Sequence, residues 1–260
     1  MIDKKNTEIR KISDGARAVM PKRAMILAAG YGRRLQPLTH KTPKALIKVG
    51  GRAMVDRSID RLEEAGVETI VVNLHHLGSQ LEQHLRSRKG PEILFSREDE
   101  LLETGGGVRK ALPLLGDKPF LVVNADVMWL NGPTSALGRM ATIWDDATMD
   151  GLLLLHSTVD AYGYTGMGDF CIDADGLLSQ RPERELSPYL FTGIQILHPR
   201  LFEDTPEGSF RLRELYDRAI ENERLYGIVH DGEWFHVGTP EGLAEAERYL
   251  RARYPETKHR

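Results

Sequence analysis

Eight cationic side chains and no carboxylate occur between residues 22 and 52. Within this segment a short apolar run, residues 24–29, is followed directly by Gly30 and Gly32. Glycine permits positive φ and lets a polyanion approach main-chain amides. Cations held beside such a turn can neutralise phosphate charge without reorganisation. The segment therefore predicts a site for the phosphates of a nucleotide, with Arg33 and Lys44 as its cations.

The residues of the glycine segment can be compared with other glycine-rich motifs. A Rossmann dinucleotide fingerprint needs a third small residue where Leu35 stands, and an acidic residue near the end of the next strand, where His75 and His76 follow. A Walker A loop needs GxxxxGK[ST], which does not occur in the sequence. A solvated, lysine-rich loop stays open, although surface loops are normally mixed in sign.

Strand and helix patterns alternate along the chain and predict crossover units on a mostly parallel sheet. Strands are predicted at residues 24–29, 68–74, 92–96, 120–124, 151–156 and 191–197. Helices are predicted at residues 55–62, 77–85, 106–115, 134–144 and 212–221, and from Pro240, with Thr239 as its cap. We predict a single domain at 22–250 with a β-rich lid at about 160–188, a flexible N-terminal tail at 1–21, and a C-terminal tail at 251–260.

Polar residues follow several of the predicted strands. Gly30, residues 73–76 and residues 124–126 all lie at carboxyl ends of strands, where ligands collect in open α/β sheets. Asp126 could be a turn or capping residue, or a ligand for a hard cation. Beside a phosphate loop the metal interpretation is favoured. Mg²⁺ is the expected ion, because it is commonly held by one or two carboxylates together with substrate phosphates.

Composition excludes several classes of protein. A net charge of -3 and a pI near 6.3 give no general attraction to nucleic acid, so the basic segment is expected to act on a small anion. No apolar run approaches the roughly 20 residues of a membrane span, and no secretory signal is visible. We therefore expect a cytoplasmic protein without a membrane partner. Cys171 is the single cysteine, which excludes an internal disulfide and a CxxC metal site.

The residues also carry a family resemblance. LAAGYGRRLQPLTHKTPKALIKVGG resembles the signature of the sugar-1-phosphate nucleotidyltransferases, the enzymes that make nucleotide sugars. ETGGG at 103–107, NAD at 124–126, FTGIQIL at 191–197 and HVGTPEGL at 236–243 continue the match in order. Within the family the compact length and motif spacing are most similar to the bacterial N-acetylmuramate-1-phosphate uridylyltransferases of cell-wall recycling. The mannose-1-phosphate guanylyltransferases are near relatives.

This resemblance implies a Rossmann-like three-layer α/β sandwich with a mostly parallel mixed sheet and a small β-rich sugar-binding lid. It implies transfer of a nucleotidyl group from a nucleoside triphosphate to a sugar 1-phosphate, with release of pyrophosphate. The two substrates are the expected partners. The oligomeric state, the base and the sugar are left open.

The resemblance also implies roles for individual residues. Catalysis is expected from Arg33, Lys44 and Asp126. The residues expected to bind the nucleotide are Leu27, Ala28, Ala29, Gly30, Tyr31, Gly32, Arg33, Lys44, Asn73, His75, Thr104, Gly105, Gly106 and Asn124. Amides of the ETGGG motif could meet an anion or the edge of the base, or the glycines could simply reverse the chain. The residues expected at the sugar phosphate are Asp169, Thr192, Gly193 and Arg211, bordered by Tyr164, Gly168 and Phe191.

Two positions depart from the family pattern. The family has a second metal-binding carboxylate where His236 stands, and imidazole suits Mn²⁺ or Zn²⁺ better than Mg²⁺. His236 is therefore a metal ligand with Mg²⁺ or Mn²⁺, a ligand of the sugar phosphate, or a structural residue. A second basic residue near the sugar phosphate must be an arginine, Arg211 or alternatively Arg181 or Arg184. A catalytically silent nucleotide-sugar-binding regulator and a hydride-transferring enzyme remain as other classes of function.

Overall fold

The computed structural model of the protein describes residues 19–254, so most of both predicted tails lies outside the described residues. This part of the chain forms thirteen strands, which are β1 (Arg23–Leu27), β2 (Lys48–Val49), β3 (Arg52–Ala53), β4 (Thr69–Leu74), β5 (Glu92–Arg97), β6 (Phe120–Asn124), β7 (Val127–Leu130), β8 (Gly151–Ser157), β9 (Phe170–Ile172), β10 (Leu178–Gln180), β11 (Tyr189–Leu197), β12 (Leu225–Val229) and β13 (Glu233–His236). It forms six α-helices, which are α1 (Met54–Glu64), α2 (Gly78–Arg86), α3 (Glu103–Leu115), α4 (Ala136–Ile143), α5 (Leu212–Glu221) and α6 (Pro240–Arg253).

The central sheet is mixed and is built around β1, which pairs in parallel with β4 on one side and β6 on the other. β5 continues the parallel part beyond β4. β11 runs antiparallel between β6 and β8, and β12 pairs in parallel with β8. The carboxyl ends of β1, β4 and β6 consequently meet at one edge of the sheet, as the sequence predicts.

Helices cover both faces of this sheet. One hydrophobic core holds residues of α1, α2 and α4, such as Ile59, Leu81 and Met140, and a second core on the other face holds residues of α3 and α5, such as Val108 and Leu215. The periodic apolar residues of each helix thus face the sheet and remove its apolar strands from water. The predicted three-layer α/β class is confirmed.

Several short elements were not predicted. β7 and β13 pair antiparallel as a separate two-stranded sheet, and β12 adds an edge strand beside β8. β7 and β13 have four residues each, and β7 begins three residues after β6 ends, so neither shows a strand pattern of ordinary length. Their pairing also joins segments about a hundred residues apart, which local patterns do not encode.

The segment predicted as a β-rich lid contains β9 and β10, three residues each, which pair antiparallel. β9 also meets the first part of β11, where Tyr189 is paired with Phe170. The start of the segment is joined to the small sheet, because Tyr162 bridges Phe235. Both ends of the segment are therefore connected to strands that border the edge where β1 and β6 end.

Candidate active site

The loop after β1 presents unpaired main-chain amides. Within residues 19–254, the N–H groups of residues 29–34 have no hydrogen-bond acceptor, whereas the Ala28 N–H donates to Asn73 Oδ1 at 2.6 Å. Gly32 has φ +62°, and a Cβ there would lie 2.8 Å from Thr39 Cγ2. The Thr39 hydroxyl donates to the Gly32 carbonyl at 2.9 Å and fixes the loop. Consecutive free amides on such a loop form an anion-binding concavity.

A cleft of about 210 Å³ lies beside this loop. It brings together eight of the residues expected at the nucleotide and the catalytic and metal candidate Asp126; the eight are Leu27, Ala28, Ala29, Gly30, Lys44, Asn73, Thr104 and Asn124. Ala45, Leu101, Glu103 and Ala125 complete its lining and were not predicted. Residues from β1, β4, β6 and α3 therefore converge, as expected for ligands at the carboxyl edge of the sheet.

Lys44 and Asp126 form the charged centre of the cleft. Lys44 Nζ lies 2.5 Å from Asp126 Oδ2, and the two side chains are 17% and 18% exposed. Burial raises the pKa of the Asp126 carboxyl, but contacts with Lys44 and His236 lower it by more, so its pKa lies well below the ordinary value. Asp126 is therefore ionised at neutral pH and can hold a cation.

The two adjacent arginines of the loop have different surroundings. The Arg33 guanidinium lies over the ring of Tyr31, 5.2 Å from its centroid. Arg34 instead points toward the charged centre, with one guanidinium nitrogen 3.9 Å from Asp126 Oδ2 and 3.4 Å from His236 Nε2. In this geometry Arg34, and not the predicted Arg33, lies beside the charged centre. Neighbouring residues of one type cannot be distinguished by spacing alone.

His236 lies at the end of β13, next to Asp126. Its Nε2 is 3.6 Å from Asp126 Oδ2, and its Nδ1 is 3.3 Å from the Gly163 carbonyl. The ring is stacked on Trp234 with an interplanar angle of 5°. The carbonyl partner on Nδ1 orients the ring with Nε2 toward Asp126, which is how metal-ligating histidines are commonly oriented.

The residues at this centre can be assessed as ligands for a divalent ion. The described residues contain no group of three or more His, Cys, Asp and Glu that could hold a metal by themselves. Asp126 and His236 can supply two ligands, and an ion such as Mg²⁺ normally takes its others from water and substrate phosphates. The residues therefore fit an ion that arrives with a phosphate ligand.

Asn73 is part of the scaffold as well as of the cleft. Its Oδ1 accepts the Ala28 amide, and its Nδ2 donates to Glu98 Oε1 at 2.7 Å. Glu98 is buried, and its other oxygen accepts the Leu102 amide at 3.1 Å. The Glu98 carbonyl also contacts His75 Nδ1 at 3.0 Å. Sequence reasoning missed Glu98, which is one of several acids between 97 and 103 and carries no distinguishing motif.

The ETGGG motif does not present its amides to a ligand as expected. The amides of Gly105 and Gly106 both donate to the Phe210 carbonyl, at 2.9 and 3.1 Å. Close packing explains all three glycines: a Cβ would lie 2.4 Å from the Phe210 ring at Gly105, 2.1 Å from the Gly208 carbonyl at Gly106, and 2.9 Å from Glu98 at Gly107. Gly105 and Gly106 are buried, so their predicted contact with the nucleotide is corrected to a packing role.

Substituting Gly106 with alanine should lower the free energy of unfolding by about 2–3 kcal/mol, because a clash with backbone exceeds the helix-propensity gain of about 1 kcal/mol. Urea unfolding followed by circular dichroism measures this. Gly138→Ala is the control: that Cβ would meet Ser135 at 3.5 Å, an ordinary contact, inside helix α4. An unfolding free energy of Gly106→Ala equal to that of the wild type would contradict the packing role.

A second cleft, of about 280 Å³, shares Thr104 and Asn124 with the first. Asp169 and Arg211, both expected at the sugar phosphate, line it. Asp169 Oδ2 accepts the Phe191 amide at 2.8 Å, which leaves the other oxygen for a ligand. The Arg211 side chain is 73% exposed at the start of α5, 3.9 Å from Glu103.

Thr192 and Gly193 shape this region without offering side-chain contacts. Thr192 is fully buried, and its hydroxyl donates to the Leu154 carbonyl at 2.7 Å. The expectation that this hydroxyl binds the sugar is therefore contradicted. Gly193 has φ +81°, and a Cβ there would lie 2.7 Å from Asn124 Nδ2, so glycine is required for the packing of Asn124.

Neither alternative arginine of the lid reaches the charged centre. Arg181 donates to the Gly168, Pro182 and Glu185 carbonyls, which fixes the loop after β10. Arg184 is exposed in that loop and has φ +63°. Tyr164 also has a partner within this segment, because its hydroxyl accepts a hydrogen bond from the Gly168 amide at 3.0 Å.

Comparison with known proteins shows which family this chain resembles. The family model described as nucleotidyl transferase matches residues 23–253. The N-acetylmuramate alpha-1-phosphate uridylyltransferase of Caulobacter vibrioides is 41% identical over 235 residues, which cover 88% of this chain and 97% of that protein. The enzyme of the same name from Neisseria meningitidis is 37% identical, with 86% and 96% covered.

A solved structure of UDP-glucose pyrophosphorylase complexed with UDP-glucose has a TM-score of 0.76 against this chain at 20% identity. The match covers 90% of this chain and all of the other. It supports the fold. In the described part of the chain, every helix is too short or too polar to cross a bilayer.

Proposed function

The chain belongs to the nucleotidyl transferase family, and we propose that it transfers the uridylyl group of UTP to N-acetylmuramate 1-phosphate, releasing pyrophosphate. The observation that carries the reaction is the cleft in which Ala29 and Gly30, the first residues of the loop with free amides, lie beside the Lys44 and Asp126 pair. The choice of substrates is supported by the two similar uridylyltransferases. The cytoplasm, where UTP is available, is the proposed location.

The proposed reaction is an in-line displacement. A phosphate oxygen of the sugar 1-phosphate attacks the α-phosphorus, a new P–O bond forms, and the bond to the pyrophosphate oxygen breaks. The attacking oxygen is already anionic at neutral pH, so no strong general base is needed. Catalysis then depends on alignment and charge neutralisation. Lys44 neutralises the α-phosphate or the sugar phosphate, and the amides of residues 29–34 hold the leaving pyrophosphate.

We propose Mg²⁺ as the resident ion, with Mn²⁺ as the alternative that His236 favours. When bound, the ion supplies positive charge between the two phosphate groups. Asp126 and His236 would hold it, and the stacking of His236 on Trp234 keeps the imidazole in place. Lys44 contacts the same carboxylate and would share it with the ion.

Arg34, rather than Arg33, is proposed as the arginine that holds the leaving group. Arg34→Ala should lower kcat/KM for UTP by about 100-fold, in the range found for removal of one charge-stabilising donor. Arg33→Ala is the matched control from the same loop, and it should change kcat/KM by less than about fivefold, because its guanidinium rests on Tyr31. Steady-state pyrophosphate release measures both. The assignment fails if Arg33→Ala is the more damaging change.

A pyrophosphate-release screen tests the proposed function. It crosses UTP, GTP, ATP and CTP with the 1-phosphates of N-acetylmuramate, N-acetylglucosamine, glucose and mannose. We expect the highest kcat/KM for UTP with N-acetylmuramate 1-phosphate. GTP with mannose 1-phosphate is the competing pair, and a higher value there would overturn the choice of substrates. Absence of pyrophosphate with every pair, together with tight nucleotide-sugar binding, would favour a silent regulator.

A further inference from the structure

We propose that Gln195 and Arg213, in the second cleft, recognise a carboxylate on the acceptor sugar, separate from its 1-phosphate. This inference rests on the proposed function, and it names the side chains that select the acceptor. N-acetylmuramate differs from N-acetylglucosamine by a lactyl ether that ends in a carboxylate. A cleft that distinguishes the two sugars must therefore offer hydrogen-bond donors to that carboxylate. It must also lie beside the charged centre.

Gln195 is a buried donor without a partner. Its side chain is 0% exposed, and Tyr216 donates its hydroxyl to Gln195 Oε1 at 2.6 Å. Burial raises the pKa of Tyr216 well above its ordinary value, so the hydroxyl keeps its proton and fixes which side of the amide is the acceptor. Among the described residues, nothing accepts from Gln195 Nε2, although this residue lines the cleft. Buried polar groups are normally paired, so a free amide here points to an acceptor on a ligand.

Aromatic rings hold this arrangement in place. Phe170 and Phe191 both pack edge-on against Tyr216, with centroid distances of 6.3 and 5.9 Å. The Arg213 guanidinium lies over the Phe170 ring at 5.0 Å, and its Nε donates to Asp217 at 2.8 Å. Its two terminal nitrogens have no acceptor in residues 19–254. A guanidinium fixed in this way offers parallel N–H groups, which match the geometry of a carboxylate.

The cleft is also suited to the rest of a sugar. Asp169, directly before β9, accepts the Phe191 amide with one oxygen, and its other oxygen can accept from a sugar hydroxyl or an acetamido N–H. Thr104 and Asn124 join the cleft to the nucleotide side. Acceptors for sugar hydroxyls and donors for a carboxylate therefore occur together in the second cleft, which adjoins the first cleft and its charged centre.

The test compares kcat/KM for N-acetylmuramate 1-phosphate and N-acetylglucosamine 1-phosphate with saturating UTP. In Arg213→Gln the ratio of the two values should fall by about 10- to 100-fold, the range for loss of a charge-assisted hydrogen bond. Gln195→Leu should lower the same ratio. Arg248→Gln, on the exposed side of α6, is the matched control and should leave the ratio unchanged.

Each outcome decides the inference. An unchanged ratio in Arg213→Gln, with a wild type that prefers N-acetylmuramate 1-phosphate, overturns the inference alone and leaves the proposed function standing. A wild type that prefers N-acetylglucosamine 1-phosphate overturns the proposed acceptor and the carboxylate inference together. If Gln195→Leu fails to fold, as thermal unfolding would show, the Arg213 variant still decides.

Discussion

Lys44→Ala is expected to lower kcat by two to three orders of magnitude, about the loss seen when a preorganised charge donor is removed. Lys44 Nζ is 2.5 Å from Asp126, and among the described residues that line the first cleft Lys44 is the one lysine. Pyrophosphate release with saturating substrates gives kcat, and circular dichroism checks the fold. The expected result is a folded protein with almost no turnover.

Lys41→Ala is the matched control for this change. Lys41 belongs to the same basic segment, but its side chain is exposed and lies outside the cleft lining. If general positive charge in the segment were sufficient, both substitutions would reduce turnover to a similar extent. Turnover of Lys44→Ala within about tenfold of the wild type would argue against its role in charge stabilisation.

Asp126→Asn is expected to reduce turnover by at least about 100-fold, because an amide cannot replace an ionised ligand for a divalent ion. Binding of the ion provides an independent measurement. In the presence of UTP, the amount of Mn²⁺ bound by the protein, followed by electron paramagnetic resonance, should fall in the variant. Full Mn²⁺ binding by Asp126→Asn would remove Asp126 from the metal site.

Asp150→Asn is the control for the loss of an ion-paired carboxylate. Asp150 is 16% exposed, close to the 18% of Asp126, and it pairs with Arg200 at 2.5 Å and Arg224 at 2.9 Å. It lies outside the residues that line either cleft. We expect this variant to lose stability but to keep both Mn²⁺ binding and turnover at temperatures where it is folded.

Sequence reasoning placed the phosphate loop and Asp126 together because each follows an apolar run that ends at the same edge of a parallel sheet, and it placed Lys44 farther along the same basic segment. That argument uses strand ends, which local patterns mark well. From the family motif it left His236 open as a metal ligand, a ligand of the sugar phosphate or a structural residue, and the structure has His236 Nε2 3.6 Å from Asp126 Oδ2.

The differences from expectation have a common physical cause. Arg33 and Arg34 are adjacent, but the Arg34 guanidinium lies near Asp126 and the Arg33 guanidinium lies over the ring of Tyr31. The amides of the ETGGG motif were expected to be free, but the carbonyl of Phe210, far along the chain, accepts two of them. Side-chain direction and long-range backbone partners depend on tertiary packing, which the spacing of residues does not contain.

The pairing of β7 with β13 has a consequence for folding during translation. The Val237 amide donates to the Asp126 carbonyl at 2.9 Å, and Arg34 meets His236 across 202 positions of sequence. On the ribosome, a chain that already contains Lys44 and Asp126 still lacks Val237 and His236, which contact Asp126 in the folded protein. We therefore expect unfinished chains to be poor at capturing triphosphate, with competence acquired near the end of translation.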